Sequence, residues 1–325
     1  MQTGIGEEPR MTTRDFQTGA GTSRRAVIAG AGALAAAGLS EAQAQGRPEE
    51  IIDIHAHIIS RDLAKYPPQI IPGRESDWAK ERRNPVEELL TEMDAAGVAK
   101  AAMVQVSTFY GINNTYLADS IAKAPKRLTG VCSLDVLVPE TVKILDVLIG
   151  RGITGLRIFT GAADRATLTD PRSFPVWEHM LAKRLPINLQ TDAKGLPYVV
   201  QLLKRFPRNT VILDHIAHPD LSDGAPYAAA ASLWDLAQYP NLHLKITPRT
   251  FELANTGKAT PETFFPALVK AFGAARIAWG SNMPSDLPPM TRIVAETRKN
   301  LASLSPADRA MVLSGTAKKL YPSLA

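Results

Sequence analysis

Eight short apolar runs recur along the chain with longer helix-patterned stretches between them, and this alternation limits the available folds more than any other feature. The runs are Ile51 to His57, Ala101 to Val106, Leu128 to Leu134, Ile153 to Phe159, Ile187 to Gln190, Val211 to His215, Leu242 to Ile246 and Ile277 to Trp279. Runs of that length, separated by helical segments, read as parallel strands joined by crossover helices. Between the first two, PVEELLTEMDAAGV carries Val86, Leu89, Leu90, Met93 and Val98 at helical spacing, with Gly97 as the stop. Comparable segments read VKILDVLIG, VWEHMLAKR, LPYVVQLLKRF, ASLWDLAQY, TFFPALVKAF and Ala307 to Gly315. The expectation is a (β/α)8 TIM barrel, with an open doubly wound sheet as the alternative; either fold puts chemistry at the C-terminal strand ends.

The first residues read differently. Thr22-Ser23-Arg24-Arg25 precedes AVIAGAGALAAAGL, followed by Ser40-Glu41-Ala42-Gln43-Ala44: a basic n-region, a small-residue h-region and an A-x-A cleavage site. This resembles a twin-arginine export signal. The apolar run of 14 residues is shorter than the ~20 that a membrane-spanning helix needs. Residues 1–44 are therefore expected to be a leader and 45–325 one barrel domain, with a periplasmic location, the export machinery as a partner and no membrane anchor after cleavage.

An oxidising compartment permits disulfides, yet Cys132 is the only cysteine, so no intrachain bridge forms. Within LTGVCSLDV it reads as a small core residue. The formal charge is +5, spread without a Lys/Arg run, which suits a small acidic ligand better than nucleic acid.

Polar residues collect where the apolar runs end. The first closes Asp53-Ile54-His55-Ala56-His57, and residues two apart on a strand share a face, so His55 and His57 project together. Paired imidazoles hold a metal or polarise a carbonyl better than they fill a core. His215 ends the run TVILDH and is the third candidate for the same cup; His218, three residues on, either touches substrate or caps the turn. His179 reads as exterior, and His243 lies at the wrong strand end for catalysis.

His-x-His on the first strand, LDHIAHP, LHLKIT and WGSNMP, in that order, resemble the amidohydrolase-related (amidohydrolase 2) family of (β/α)8 hydrolases. VQVS with its Gly-Ile-Asn-Asn loop, GLRIF and DHIAHPDLSDG look most like its pyrone-dicarboxylate lactonase and sugar-lactonase branch. The resemblance implies that His55, His57 and His215 either bind a divalent ion, zinc first, or polarise a lactone carbonyl without metal. It also implies that Arg157 binds a substrate carboxylate, a task for which a guanidinium fork is well shaped. Ser107 and Arg249 are weaker candidates for that task, and Tyr66 is either a pocket wall or loop packing.

Asn282 departs from the aspartate that the family carries at the eighth strand end. An amide has no useful pKa, so it takes no proton from water, and as a metal ligand it is weaker than a carboxylate. Three readings follow: a lactonase whose base is a histidine or Asp286, a metal-independent lactone isomerase, or a non-catalytic binding protein for small acids.

Overall fold

The structure, a computed structural model, describes residues 49–161, 163–285 and 289–325. The expected leader and Asp286 lie outside the described residues. Eight strands follow in chain order: β1 (Ile51–Ala56), β2 (Val98–Val104), β3 (Leu128–Ser133), β4 (Ile153–Phe159), β5 (Ile187–Gln190), β6 (Val211–Leu213), β7 (Leu242–Ile246) and β8 (Ile277–Trp279). Each pairs in parallel with the next, β1 through β8. Helices α1 (Val86–Ala96), α2 (Thr115–Ile121), α3 (Thr141–Ile149), α4 (Phe174–Lys183), α5 (Leu196–Arg205), α6 (Ala231–Trp234), α7 (Pro261–Phe272) and α8 (Met290–Asn300) fall between or after them. The TIM barrel is the fold, and the open sheet is excluded by the contacts of β8 with β1.

Those contacts close the barrel through the segment after β8. Asn282 N donates to His55 O at 2.8 Å, His57 N to Met283 O at 2.6 Å, and Ser281 N to the Asp53 carboxylate at 2.9 Å. Gly280 allows the approach: a Cβ there would lie 2.4 Å from His55 Cβ, a separation no side chain tolerates.

Two apolar layers follow from strand alternation. One lies between strands and helices and includes Leu89, Met93, Trp177, Leu202, Phe264 and Trp279. The other fills the lumen with Ile52, Ile54, Ala102, Val104, Val131, Ile212 and Ala278, and the C-terminal Leu320, Tyr321 and Leu324 plug its lower end. Cys132 is buried in the outer layer, as its apolar surroundings require.

Local signals place the helices well. Gly97 ends α1 in the left-handed conformation, φ 71°, and prolines occupy the first turns of α4, α5 and α7. ASLWDLAQY is the exception: it forms a four-residue α6 that tightens into a 3-10 turn over Asp235–Gln238. Strand ends shift as well: β2 runs Val98–Val104, not Ala101 to Val106, and β6 stops at Leu213, not His215. Among the described residues no helix is long and apolar enough to cross a membrane.

Candidate active site

The cup forms at the C-terminal end of the barrel, but strict alternation does not form it. Ile52 and Ile54 face the lumen, so an unbroken β1 would turn His55 and His57 outward. The pairing with β2 slips between Asp53 and Ala56, and this irregularity swings both imidazoles inward. Asp53 Oδ1 pins the bend by accepting from His55 N at 2.8 Å and Ser281 N at 2.9 Å.

His215 arrives by strain. His215, Ile216, Ala217 and His218 all have left-handed backbones, φ 50–57°, and β-branched Ile216 is the costliest of them. Each such residue costs about 1–2 kcal/mol, so the turn survives only because the surrounding core fixes it. It aims His215 at His55, ring centres 4.8 Å apart, and stacks His218 on His215 at 5.2 Å.

Hydrogen bonds set the protonation pattern. His57 Nδ1 lies 2.8 Å from Val104 O, so it carries the proton and donates; His57 Nε2 then accepts from His55 Nε2 at 3.2 Å. That leaves His55 Nδ1 as a lone pair 3.9 Å from Asp214 Oδ1. His215 Nδ1 meets Thr247 Oγ1 at 2.8 Å. Burial, reinforced by Lys245 and the other histidines, holds His55 well below the ordinary imidazole range. Burial and Arg157 bring His57 down to about 3, and burial with His218 and Arg157 depresses His215. The cup is thus three neutral imidazoles.

Beneath it lies a charged layer that the strand patterns did not single out. Asp214, fully buried, accepts from Arg157 Nε at 2.9 Å and forms an ion contact with Lys245 Nζ at 2.8 Å. Lys245 donates to Asn188 Oδ1 at 2.8 Å, and Asn188 meets the Tyr321 hydroxyl at 3.1 Å. Burial lowers the pKa of Lys245 while Asp214 opposes that shift. The signal was present in LHLKIT: a lysine inside an apolar strand needs a buried partner.

Over the cup opens a cavity of about 190 Å³, lined by His57, Trp78, Val106, Ser107, Thr108, Arg157, Phe159, Gln190, His215, His218, Arg249 and Ser285. Ser107, His218, Arg157 and Arg249 thus share one cavity, together with Trp78, Gln190 and Ser285, which the sequence patterns do not single out. Gln190 ends β5 without a charge to advertise it. Ser107 Oγ and Gln190 Oε1 are buried without hydrogen-bond partners among the described residues, which suits groups awaiting a ligand. Tyr66 does not join them: its ring packs on Tyr116 and its hydroxyl donates to Asp119 at 2.7 Å, so it is loop packing. His179 sits on α4 against Asp146, and His243 does not reach the cavity.

The two arginines of the cavity differ in what they already bind. Arg157 already serves Asp214 through Nε. Arg249 donates only to Ser285 Oγ, at 3.2 Å, and has no carboxylate partner among the described residues. Of the two, Arg249 is the one whose guanidinium is not engaged by a carboxylate among the described residues.

For a metal the fit is partial. Two nitrogens ~2.05 Å from a tetrahedral ion lie roughly 3.3 Å apart, and the His55 and His57 Nε2 atoms are 3.2 Å apart. The His57 bond to Val104 O is also the outer-shell bond that a ligating imidazole makes. Yet among the described residues no three His, Cys, Asp or Glu side chains gather closely enough to hold an ion. As placed, the donors do not complete a metal site.

Residues 52–323 match the family model described as Amidohydrolase. An L-fucono-1,5-lactonase from Burkholderia ambifaria is 26% identical over 239 residues, 72% of this chain and 80% of the relative. A probable 2-pyrone-4,6-dicarboxylic acid hydrolase from Acinetobacter baumannii, solved with citric acid bound, superposes with TM-score 0.69 at 18% identity, covering 84% of this chain and 99% of the neighbour. A zinc-bound amidohydrolase from Burkholderia multivorans gives TM-score 0.68 at 21% identity, covering 84% and 99%.

Proposed function

The chain belongs to the amidohydrolase family, and from that premise we propose that it is a hydrolase opening a small lactone that bears a carboxylate. The observation that carries the reading is the neutral histidine cup opening into a cavity whose walls hold Arg157 and Arg249. Two similar proteins, the lactonase and the pyrone acid hydrolase, are named for cyclic esters.

In this reading Arg249 anchors the carboxylate, with Arg157 beside it. His55 and His57 share one proton between their Nε2 atoms and offer it to the lactone carbonyl oxygen. His215, in the tautomer whose Nδ1–H donates to Thr247, presents an Nε2 lone pair and takes a proton from water. The water oxygen bonds to the carbonyl carbon, the ring C–O bond breaks, and the imidazolium proton passes to the departing alkoxide. The resulting hydroxy acid ionises, so one proton is released per ring opened. A neutral imidazole as base removes the need for an aspartate at Asn282.

Asn282 itself favours a second reading, a lactone isomerase in which the acyl group moves between two hydroxyl oxygens of one molecule and no water is consumed. The two part in one experiment: carboxylated lactones incubated with protein of measured metal content in unbuffered solution, followed by NMR. A hydrolase acidifies the solution as hydroxy acid appears, whereas an isomerase converts one lactone into another at constant pH. Ligand-induced stabilisation without turnover would leave only a binding protein. The leader motif supports export to the periplasm, and replacing Arg24 and Arg25 together by lysine should keep the protein out of the periplasmic fraction.

A further inference from the structure

Beside the catalytic cavity lies a second one of about 410 Å³ that shares Ser107, Arg157 and Phe159 with it. The first alone, about 190 Å³, falls below the ~300 Å³ at which ligand pockets ordinarily begin. The second has the opposite chemistry. Its walls are mainly Ile71, Ile112, Leu134, Val136, Leu137 and Ile158. Ile112 is 49% exposed and Ile71 36%, aliphatic surface left uncovered by the described residues.

The polar groups of this annex are largely spoken for. Arg74 pairs with Asp164 and donates to Phe159 O at 3.3 Å, and Asp135 Oδ1 accepts from Leu137 N at 3.0 Å. The hydroxyls of Ser107 and Ser133 have no hydrogen-bond partners among the described residues, and Ser107 belongs to the boundary shared with Arg157. Phe159 forms that boundary, with the Arg157 and Arg74 guanidinium carbons 5.6 and 5.8 Å from its ring centre. A ligand reaching across it meets cations on the catalytic side and aliphatic walls beyond.

We propose that the annex receives an apolar substituent, an alkyl chain or aryl ring, carried by the lactone, so that the substrate is an amphipathic lactone acid and not a bare sugar lactone. This deepens the lactonase reading and rests on it for the identity of the ring. Each methylene moved from water into the annex is worth about fourfold in affinity, part of which is lost in ordering the chain.

The test uses the full chain and a panel of carboxylated δ-lactones, unsubstituted or carrying one butyl group at each ring carbon in turn. kcat/KM is measured for the lactones, and Kd by calorimetry for the ring-opened hydroxy acids. The expected result is a Kd at least tenfold tighter for the best butyl isomer than for the unsubstituted acid. Ile112→Asp and Ile71→Asp, both at exposed positions, should bring that ratio close to one. Equal affinities, no binding of either acid, or a ratio untouched by both substitutions would overturn the proposal. Discrimination between the acids without turnover of any lactone would sink the reaction and leave the annex standing. Turnover without discrimination would do the reverse.

Discussion

Asn282 occupies a left-handed backbone position, φ 56°, where asparagine and aspartate are both tolerated. The backbone therefore accepts a carboxylate at this position as readily as an amide. With His215 as the base, Asn282→Asp should leave hydrolysis at neutral pH within about threefold, read as acid release in a pH-stat; a rise of about tenfold or more would count against His215 as the base and mark the amide as a specialisation away from water activation. Lys245 poses a different question, because it touches Asp214 and Asn188 and does not line the cavity. Removing one partner from a buried ion cluster typically costs about 3–5 kcal/mol. Lys245→Met should lower unfolding stability by that order in urea titrations, and a loss below 1 kcal/mol would show the cluster to be weakly coupled.

At the scale of elements, the cup is made by two departures from regular structure, the slip in β1 and the left-handed turn after β6. Both bury imidazoles, and burial has a consequence for stability. Unfolded histidines titrate near 6.5, whereas His57 in the fold titrates near 3. Between those values the unfolded chain binds more protons than the folded one, so stability falls as pH drops below about 6.5 and keeps falling toward 3. The slope from one such histidine approaches 1.4 kcal/mol per pH unit. Urea midpoints at pH 6 and pH 4.5 should differ in that direction, and His57→Gln should flatten the dependence; an equal slope in the variant would contradict the neutral cup.

For the whole molecule, the two ends of the lumen serve different purposes: the top carries the cup, while Tyr321 and its neighbours seal the bottom. Truncating a buried aromatic side chain costs about 3–5 kcal/mol, so Tyr321→Ala should lower thermal stability strongly. Its hydroxyl also reaches Asn188, which links the plug to Lys245 and Asp214. Calorimetric melting and kcat/KM at a permissive temperature check both parts; activity lost together with stability would mean that the plug also positions the charged layer. The sequence alone determined the barrel and the histidines and asparagine that stand at or just after the ends of its first, sixth and eighth strands. Periodicity is local, and a polar residue at the end of an apolar run is visible without knowing its neighbours. Tertiary structure decided what depends on distant strands meeting. It turned His55 inward against simple alternation, joined Arg157 on β4 and Lys245 on β7 to Asp214 after β6, and left Arg249 without a carboxylate partner among the described residues. It also set an aliphatic annex beside the cup, from loops far apart in the chain. Those contacts are between residues tens to more than a hundred positions apart, and no pattern within a single strand or helix encodes which of them will touch.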